Sequence, residues 1–408
     1  MRVLLSTVGS TGDLNPFLAL GGALARAGHE PAVFTARSNE ARIARAGLGF
    51  CDSKSPASYD GMLRSVMAER NPIRQGALIF EHTCAEMMHS VDAAREATAW
   101  ADVVVAHGVD FAALAACEAG RRPLLTAHLF PTLLPARDLN PTGRSFGRPA
   151  NALVWAIAQR MSARSSDAPI NRLRHAFGLP PKRGALFAVD DGARRILLAV
   201  SPSVVPPDVR WRERVTMTGY WVLDEPELAP EPELIRFVEA GEPPVVISFG
   251  SMAGIDGAAV TRTLLEALRL SGRRAVLQSG WSKLGEGVDL PPNVHLAGYV
   301  PHGWLLPRAS CLVHHGGAGT TGAAFRAGIP QVIVWHMGDQ TFWGTRVEVL
   351  GTGPKRLYHR KLTPRRLADR IERALGDSAI RDRARALGER IRAEDGLATA
   401  VRAVERAA

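Results

Sequence analysis

The stretch SCLVHHGGAGTTGAAFRAG, residues 310–328, decides how this chain is read. Its apolar opening, SCLVHH, reads as a buried strand, GGAG turns the chain, and TTGAAFRAG continues with helical spacing. A helix N-terminus carries free N–H groups and partial positive charge, and small residues let an anion approach them. Gly316, Gly317, Gly319, Thr320 and Thr321 would supply those groups, with His314 or His315 adding an imidazole N–H. The pattern reads as a phosphate site, although the same glycines can also serve tight helix-on-strand packing. It is neither a Walker loop, which needs GKS/T, nor a GxGxxG fingerprint.

Working outward, the same strand–turn–helix grammar recurs. RVLLSTVGSTGD (2–13) leads into PFLALGGALARAG, and PPVVISFGSMAG (243–254) leads into AAVTRTLLEALRLSG. Further β-rich runs are EPAVFTA, ADVVVAHG and RPLLTAHL in the first half, and RAVLQSG, VHLAGYV and PQVIVWH in the second. Continuous apolar strands separated by helices imply parallel sheets covered on both faces. The fold class is therefore α/β, with two doubly wound parallel-sheet domains. Residues 223–234, LDEPELAPEPEL, are rich in Pro and Glu and read as a linker. The first domain is expected over 1–222 and the second over 235–390, with a C-terminal helix over 391–408 able to pack back on the first. In such sheets ligands sit at the carboxyl ends of strands, which is where chemistry is to be sought.

Composition narrows the function. The 408 residues are 46% hydrophobic and 22% charged, as in a soluble globular protein. No apolar run reaches the length of a membrane span and the first residues lack a signal peptide, so a cytoplasmic protein with no integral membrane segment is expected. Cys51, Cys84, Cys117 and Cys311 form no CxxC pair, which argues against a zinc knuckle or a disulfide framework. The net charge of +10 is concentrated in residues 351–408, with 15 Lys+Arg against 8 Asp+Glu. Acids are interleaved there on helical patterns and aromatics are not, so a solvated helical surface is expected and no nucleic-acid partner. In FEHTCAEMMHS (80–90), His82, Glu86 and His89 share one helical face at a spacing metals can use. Met87 and Met88 there suit either a core or an adaptable acceptor pocket.

With GYVPHGWLLPRAS (298–310) upstream and VIVWHMGDQTFWGTRVEVLGTGP (332–354) downstream, the chain resembles the GT-B nucleotide-sugar-dependent glycosyltransferases of the family 1 type. It is most similar to the sterol glucosyltransferases and the enzymes that glycosylate antibiotic and macrolide aglycones. The resemblance covers nearly the whole chain and is strongest over 247–353. It implies that the second domain holds an NDP-sugar (UDP or TDP), the first holds the acceptor, and reaction occurs between them. The implied reaction is inverting transfer to a hydroxyl of a small, largely apolar acceptor such as a sterol, a polyketide aglycone or a lipid. No cofactor or metal is expected, the nucleotide sugar being a substrate.

Carried onto this sequence, the resemblance assigns the donor diphosphate to Ser251, His314, Gly316, Gly317, Gly319, Thr320 and Thr321. It assigns the nucleobase to Trp281, Tyr299 and Val300, and the donor sugar to Asp339 and Gln340. A carboxylate beside an amide suits vicinal hydroxyls, which both donate and accept. YVPH at 299–302 stands where plant members carry WxPQ. Plant members also place a histidine in GHxNP with a supporting aspartate on a later strand; here the matching positions read GDLNP and VVVAHG. Asp13 is thus the expected base, with His107 orienting it or relaying its proton. The structural alternatives are an N-cap at Asp13 on a helix starting at Pro16, and a core histidine at His107. His128 and Met87 are the acceptor-side candidates. Nucleotide-sugar epimerases share this architecture, and a non-catalytic nucleotide-binding homologue would keep the phosphate turn.

Overall fold

The computed structural model describes the chain except for residues 57–64, 67, 70, 188–194, 226–227, 251–256 and 281–282. Valine- and leucine-rich runs form the strands because β-branched and apolar side chains pack well on a pleated surface buried on both faces. In the first domain these are β1 (Arg2–Ser6), β2 (Glu30–Thr35), β3 (Gly49–Asp52), β4 (Val103–His107), β5 (Leu124–His128), β6 (Arg195–Leu198) and β7 (Val215–Met217). They pair in the order β3-β2-β1-β4-β5-β6-β7, each pair parallel. The second domain adds β8 (Val245–Ser248), β9 (Ala275–Gln278), β10 (Val294–Ala297), β11 (Cys311–His314), β12 (Gln331–Trp335) and β13 (Leu357–Tyr358). Their order is β10-β9-β8-β11-β12-β13, again parallel.

Because successive strand residues point to opposite faces, each sheet divides its side chains between two cores. On the first sheet Val3, Leu5, Val103 and Val105 join one cluster, whereas Leu4, Val104 and Ala106 join the other. On the second, Val245, Ile247, Cys311 and Val313 face helices Gly257–Ser271 and Pro364–Gly376, while Val246 and Leu312 face the opposite side. Strand order reverses between β1 and β4 and between β8 and β11. Those reversals open a crevice at the carboxyl end of each sheet.

The two domains are fastened on one side of that crevice. Ile196, Leu198 and Trp211 of the first domain share an apolar cluster with Phe325, Ile333, Trp343 and Ile391 of the second. Buried Arg346 reaches across it, donating to the Val204 carbonyl (3.0 and 2.7 Å) and the Gly143 carbonyl (3.3 Å). The chain crosses between domains twice. Helix Pro232–Glu239 already begins within the Pro/Glu-rich 223–234 segment, so the described part of that linker is shorter than the sequence suggests. After helix Ser378–Arg392 the chain returns, and helix Gly396–Glu405 buries Ala400, Val401 and Val404 against the first sheet with Phe17 and Leu20. The crossings touch: a Cβ on Gly396 would lie 2.5 Å from the Tyr220 carbonyl oxygen, so only glycine fits there.

Candidate active site

The strand-end turns of both sheets converge on one cavity of about 970 Å³. From the first domain it takes residues 9–13, Asn15, Pro16, Leu129 and Phe130; from the second it takes Gln278, residues 298–303, His315, residues 317–320, Asp339 and Gln340. The walls approach closely, since a Cβ on Gly319 would lie 3.7 Å from the carbonyl oxygen of Gly12. That carbonyl lacks its helical donor: Pro16, four residues on, has no N–H to offer.

The first-domain wall is built by the start of helix Thr11–Arg26. Ser10 is its N-cap, with Oγ accepting from the Gly12 N–H at 3.2 Å. Asp13 completes a capping box, its Oδ2 accepting from the Ser10 N–H (2.8 Å) and Oγ–H (3.1 Å). The helix thus starts at Thr11 and not at Pro16, and Asp13 is the third helical residue, not the N-cap. The capping box engages one carboxylate oxygen. The other, Oδ1, stands 3.9 Å from His107 Nε2.

His107 ends β4 and is buried, with Phe17 and Phe130 rings 6.0 and 6.4 Å from its own. Its Nδ1 accepts from the Val109 N–H at 3.4 Å, which puts the ring proton on Nε2, facing Asp13. No hydrogen-bond partner of that Nε2 lies among the described residues. Burial holds the imidazole below its ordinary pKa, against the opposing charges of Asp13 and Asp110. Asp110 lies beneath it, buried, bonded to Ser6 Oγ and capping helix Phe111–Gly120 through the Ala113 N–H (3.1 Å). Burial pushes its carboxyl up.

The second-domain wall is the start of helix Ala318–Ala327, whose N-cap is Gly317 and which carries no side-chain cap. Gly317, Gly319 and Thr320 of this first turn, where the N–H groups have no intrahelical partner, line the cavity. Gly316 does not line the cavity. It holds φ +91°, and a Cβ there would meet Ile333 at 3.0 Å, so this glycine serves conformation and packing. Thr321 is buried and spends its hydroxyl on the Gly317 carbonyl at 2.8 Å. His314 also does not reach the cleft. Its Nε2 bonds Gln331 Oε1 at 3.0 Å and its Nδ1 accepts from the Gly316 N–H at 3.2 Å, fastening the turn to β12 from within. Burial pushes it down to about 3.

Of the adjacent pair, His315 is the one that lines the cavity. Its Nδ1 is buried with no hydrogen-bond partner among the described residues, and burial, with help from His302, lowers its pKa to about 4. It is a neutral donor at pH 7. A Cβ on Gly317 would come within 2.4 Å of His315 Nε2, so that glycine makes room for the ring.

Asp339 and Gln340 follow β12. Asp339 Oδ2 accepts from Trp343 Nε1 at 3.0 Å. Burial, with the charge of Asp13 across the cleft adding to it, raises its carboxyl to about 6. Gln340 Oε1 accepts from the His336 and Met337 N–H groups (2.7 and 3.1 Å), which fixes the amide with its NH₂ as the end able to donate. Val300 lines the cavity with its carbonyl held by Gln278 Nε2 at 3.3 Å. Tyr299 lines it too, but its hydroxyl is turned to Glu225 and to Arg42 (3.1 Å), joining linker, first domain and second domain. Ser251 and Trp281 lie outside the described residues.

Two acceptor-side candidates fall elsewhere. His128 is buried under Gly108, whose missing Cβ would collide with its ring at 2.4 Å, and Met87 packs in the core beside Cys84 and Phe111. The apolar side of the cavity is instead Pro16, Leu129, Phe130, Ala199, Trp221 and Leu223. Among the described residues no three His, Cys, Asp or Glu side chains converge as metal ligands, those of 80–90 included. His315, His302, Gln278 and Tyr220 carried weaker signals in the sequence. His315 was visible as the second of a histidine pair, while Gln278 and Tyr220 reach the cavity only through tertiary packing.

Residues 276–404 match the family model described as "Erythromycin biosynthesis protein CIII-like, C-terminal domain". The chain is 30% identical over 426 residues to a sterol 3-beta-glucosyltransferase of Candida albicans, covering 99% of this chain and 27% of that protein. It is 32% identical over 425 residues to the enzyme of the same name from Neosartorya fischeri, covering 100% of this chain and 29% of that protein. It thus spans under a third of these relatives' length. Among solved structures, the kitacinnamycin glycotransferase superposes with a TM-score of 0.75 at 22% identity, covering 100% of this chain and 98% of the other. The glycosyltransferase VinC, solved in complex with dTDP, gives 0.69 at 20% identity, covering 100% and 99%. Two parallel-sheet domains facing across a cleft, superposing along the whole chain on these structures, give the chain the GT-B fold, and residues 276–404 carry the matched C-terminal domain.

Proposed function

We propose that the chain transfers a sugar from a UDP- or TDP-sugar to a hydroxyl of a small, largely apolar acceptor, with inversion at the anomeric carbon. One observation carries this reading. A carboxylate oxygen not engaged by the capping box, Asp13 Oδ1, and an uncapped helix N-terminus beside His315 face each other across a single cavity. A displacement at an anomeric carbon needs these two things on opposite sides, a base for the incoming hydroxyl and a seat for the departing diphosphate.

In this reading the amides of Gly317, Gly319 and Thr320 and the His315 imidazole hold the diphosphate. Asp339 and the Gln340 NH₂ hold sugar hydroxyls, and the base lies toward Val300. Asp13 Oδ1 takes the acceptor proton. His107, with its Nε2–H directed at that oxygen, steadies the carboxylate and stays neutral. The acceptor lies against Pro16, Leu129, Phe130 and Trp221, whose apolar surface selects a largely apolar molecule. No residue of the proposed mechanism calls on a metal, since the helix terminus and imidazole answer the phosphate charge.

The test has two parts. Thermal shift with UDP, dTDP and GDP should raise the melting point selectively for one nucleotide, because a ligand bound only by the folded state stabilises it. Turnover of the matching nucleotide sugar with a sterol and aglycone panel should then be lost in Asp13→Asn while nucleotide binding persists. Absence of any nucleotide shift, or full turnover in Asp13→Asn, overturns the reading.

A further inference from the structure

The 29-residue helix Arg148–Ala176 is docked by one face only. Inward it buries Trp155, Ile170 and Leu173 in the first-domain core, with Trp155 Nε1 donating to the Leu139 carbonyl at 2.8 Å. Outward it exposes three large apolar side chains one turn apart, Leu153 (62%), Ile157 (51%) and Met161 (40%), and exposed Phe146 stands just before the helix. Ala152 and Ala156, next to Leu153 and Ile157 in the chain, are also exposed, and Arg160 and Arg164 continue the same stripe. Spacing of three and four residues puts all of these on one side of the helix.

No carboxylate is on that stripe from 149 to 164. The helix's acid, Asp167, is turned inward to the N–H groups of Gly184 and Ala185. Arg148 and Arg172, at the two ends, are paired with Asp138 and Glu81. Arg160 and Arg164 have no ion-pair partner among the described residues. The stripe from Leu153 to Arg164 is about 17 Å long at 1.5 Å per residue. Solitary exposed apolar residues are ordinary, but an aligned row bordered by unpaired cations has the makeup of an interfacial helix.

We infer that this face docks on the surface of an anionic lipid bilayer. Leu153, Ile157 and Met161 enter the boundary between headgroups and acyl chains, and Arg160 and Arg164 pair with lipid phosphates. Charge selects this occupant over a second copy of the chain: a two-fold contact would set the arginine-bearing stripe against its own image, with no carboxylate to meet it. Anionic headgroups above hydrocarbon answer both halves of the stripe. The inference is independent of the chemistry assigned to the cleft.

Co-sedimentation of the full chain with vesicles tests it, using phosphatidylcholine alone and phosphatidylcholine mixed with phosphatidylglycerol. The chain should partition to the mixed vesicles, and the double variant Arg160→Gln/Arg164→Gln should lose about tenfold or more in partitioning, as expected for two basic residues at an anionic surface. Leu153→Ser/Ile157→Ser/Met161→Ser should remove the binding that survives high salt. Arg373→Gln/Arg390→Gln, which removes the same charge from exposed positions on the C-terminal helices, should leave partitioning unchanged. Equal loss in that control, or no sedimentation of the parent chain, overturns the inference. So does light scattering that finds a dimer which the serine variant dissociates, since a second copy would then cover the face. All substituted positions are solvent-exposed, and unchanged thermal melting verifies that each variant is folded.

Discussion

The chain turns the same corner twice, after β1 and after β11, and finishes it differently. At residues 9–13 the new helix is capped by its own side chains, Ser10 on the amides and Asp13 on Ser10. At residues 315–320 the helix begins on Gly317 with no side-chain cap at all. One positive helix end is thus answered internally and leaves a carboxylate oxygen in the cleft. The other carries no side-chain cap. In the proposed function the same local geometry serves as a proton acceptor on one wall and an anion seat on the other, the difference being what stands in the first turn.

The sharpest break of this contrast is Asp13→Asn, which should lower turnover by about 10²–10⁴-fold, the usual contribution of a general base. Calorimetry with the nucleoside diphosphate should show binding nearly unchanged. If both fall together, the two turns do not divide the labour as proposed.

Next comes the histidine pair. His315→Ala removes a donor from the cleft and should weaken diphosphate binding about 10- to 100-fold, in keeping with a hydrogen bond to a charged group. His314→Ala strands the Gly316 N–H and Gln331 in the interior and should cost about 1–3 kcal/mol of stability, read as a lower midpoint in urea. Reversed outcomes, with binding lost in the His314 variant and stability in the His315 variant, would place the phosphate on the wrong side of the turn.

Acidity probes the facing carboxylates. Asp339, raised to about 6 first by burial and then by Asp13, accepts sugar hydroxyls best when ionised. Affinity for the nucleotide sugar should therefore fall as pH drops through about 6, while affinity for the bare nucleotide does not. Asp339→Asn should erase that limb, and Asp13→Asn should move it to lower pH by removing the like charge. Stability runs the other way. A carboxyl whose folded pKa lies above its unfolded value of 3.8 contributes most at low pH, and that contribution is lost as pH rises through about 6.

The smallest expected effect is at the cap. Ser10→Ala should cost about 1 kcal/mol of stability, as N-cap deletions do. It should also slow turnover slightly, because Asp13 loses its hydroxyl donor.

Much of the fold was legible. The central strands β1, β2, β4, β5, β8, β9, β11 and β12 are continuous apolar runs, and burial on both faces leaves them no other composition. Strands β3, β6, β7 and β13 lie at or next to the sheet edges, where the signal is weak. Candidate-site positions were legible where a turn must carry them: Asp13, Gly317, Gly319, Thr320, Asp339 and Gln340 all line the cavity. His314 and His315 were not separable, because adjacency in sequence does not say which ring is bonded inward. His128 and Met87 do not line the cavity, for a related reason: a strand end or a methionine-rich helix can face the core as readily as the cleft.

By itself the sequence determined two parallel-sheet domains and the strand-end turns that line the cavity, since these follow from periodicity and from residues that only certain backbones accept. The tertiary structure decided which side chains meet. His315 enters the cleft because Gln331 holds His314 out of it, Asp13 faces Asp339 because Arg346 and the apolar bridge set one domain against the other, and the stripe on Arg148–Ala176 is exposed because no described residue covers it. Such meetings join residues far apart along the chain, and their energies come from burial and charge at distances that no local pattern encodes.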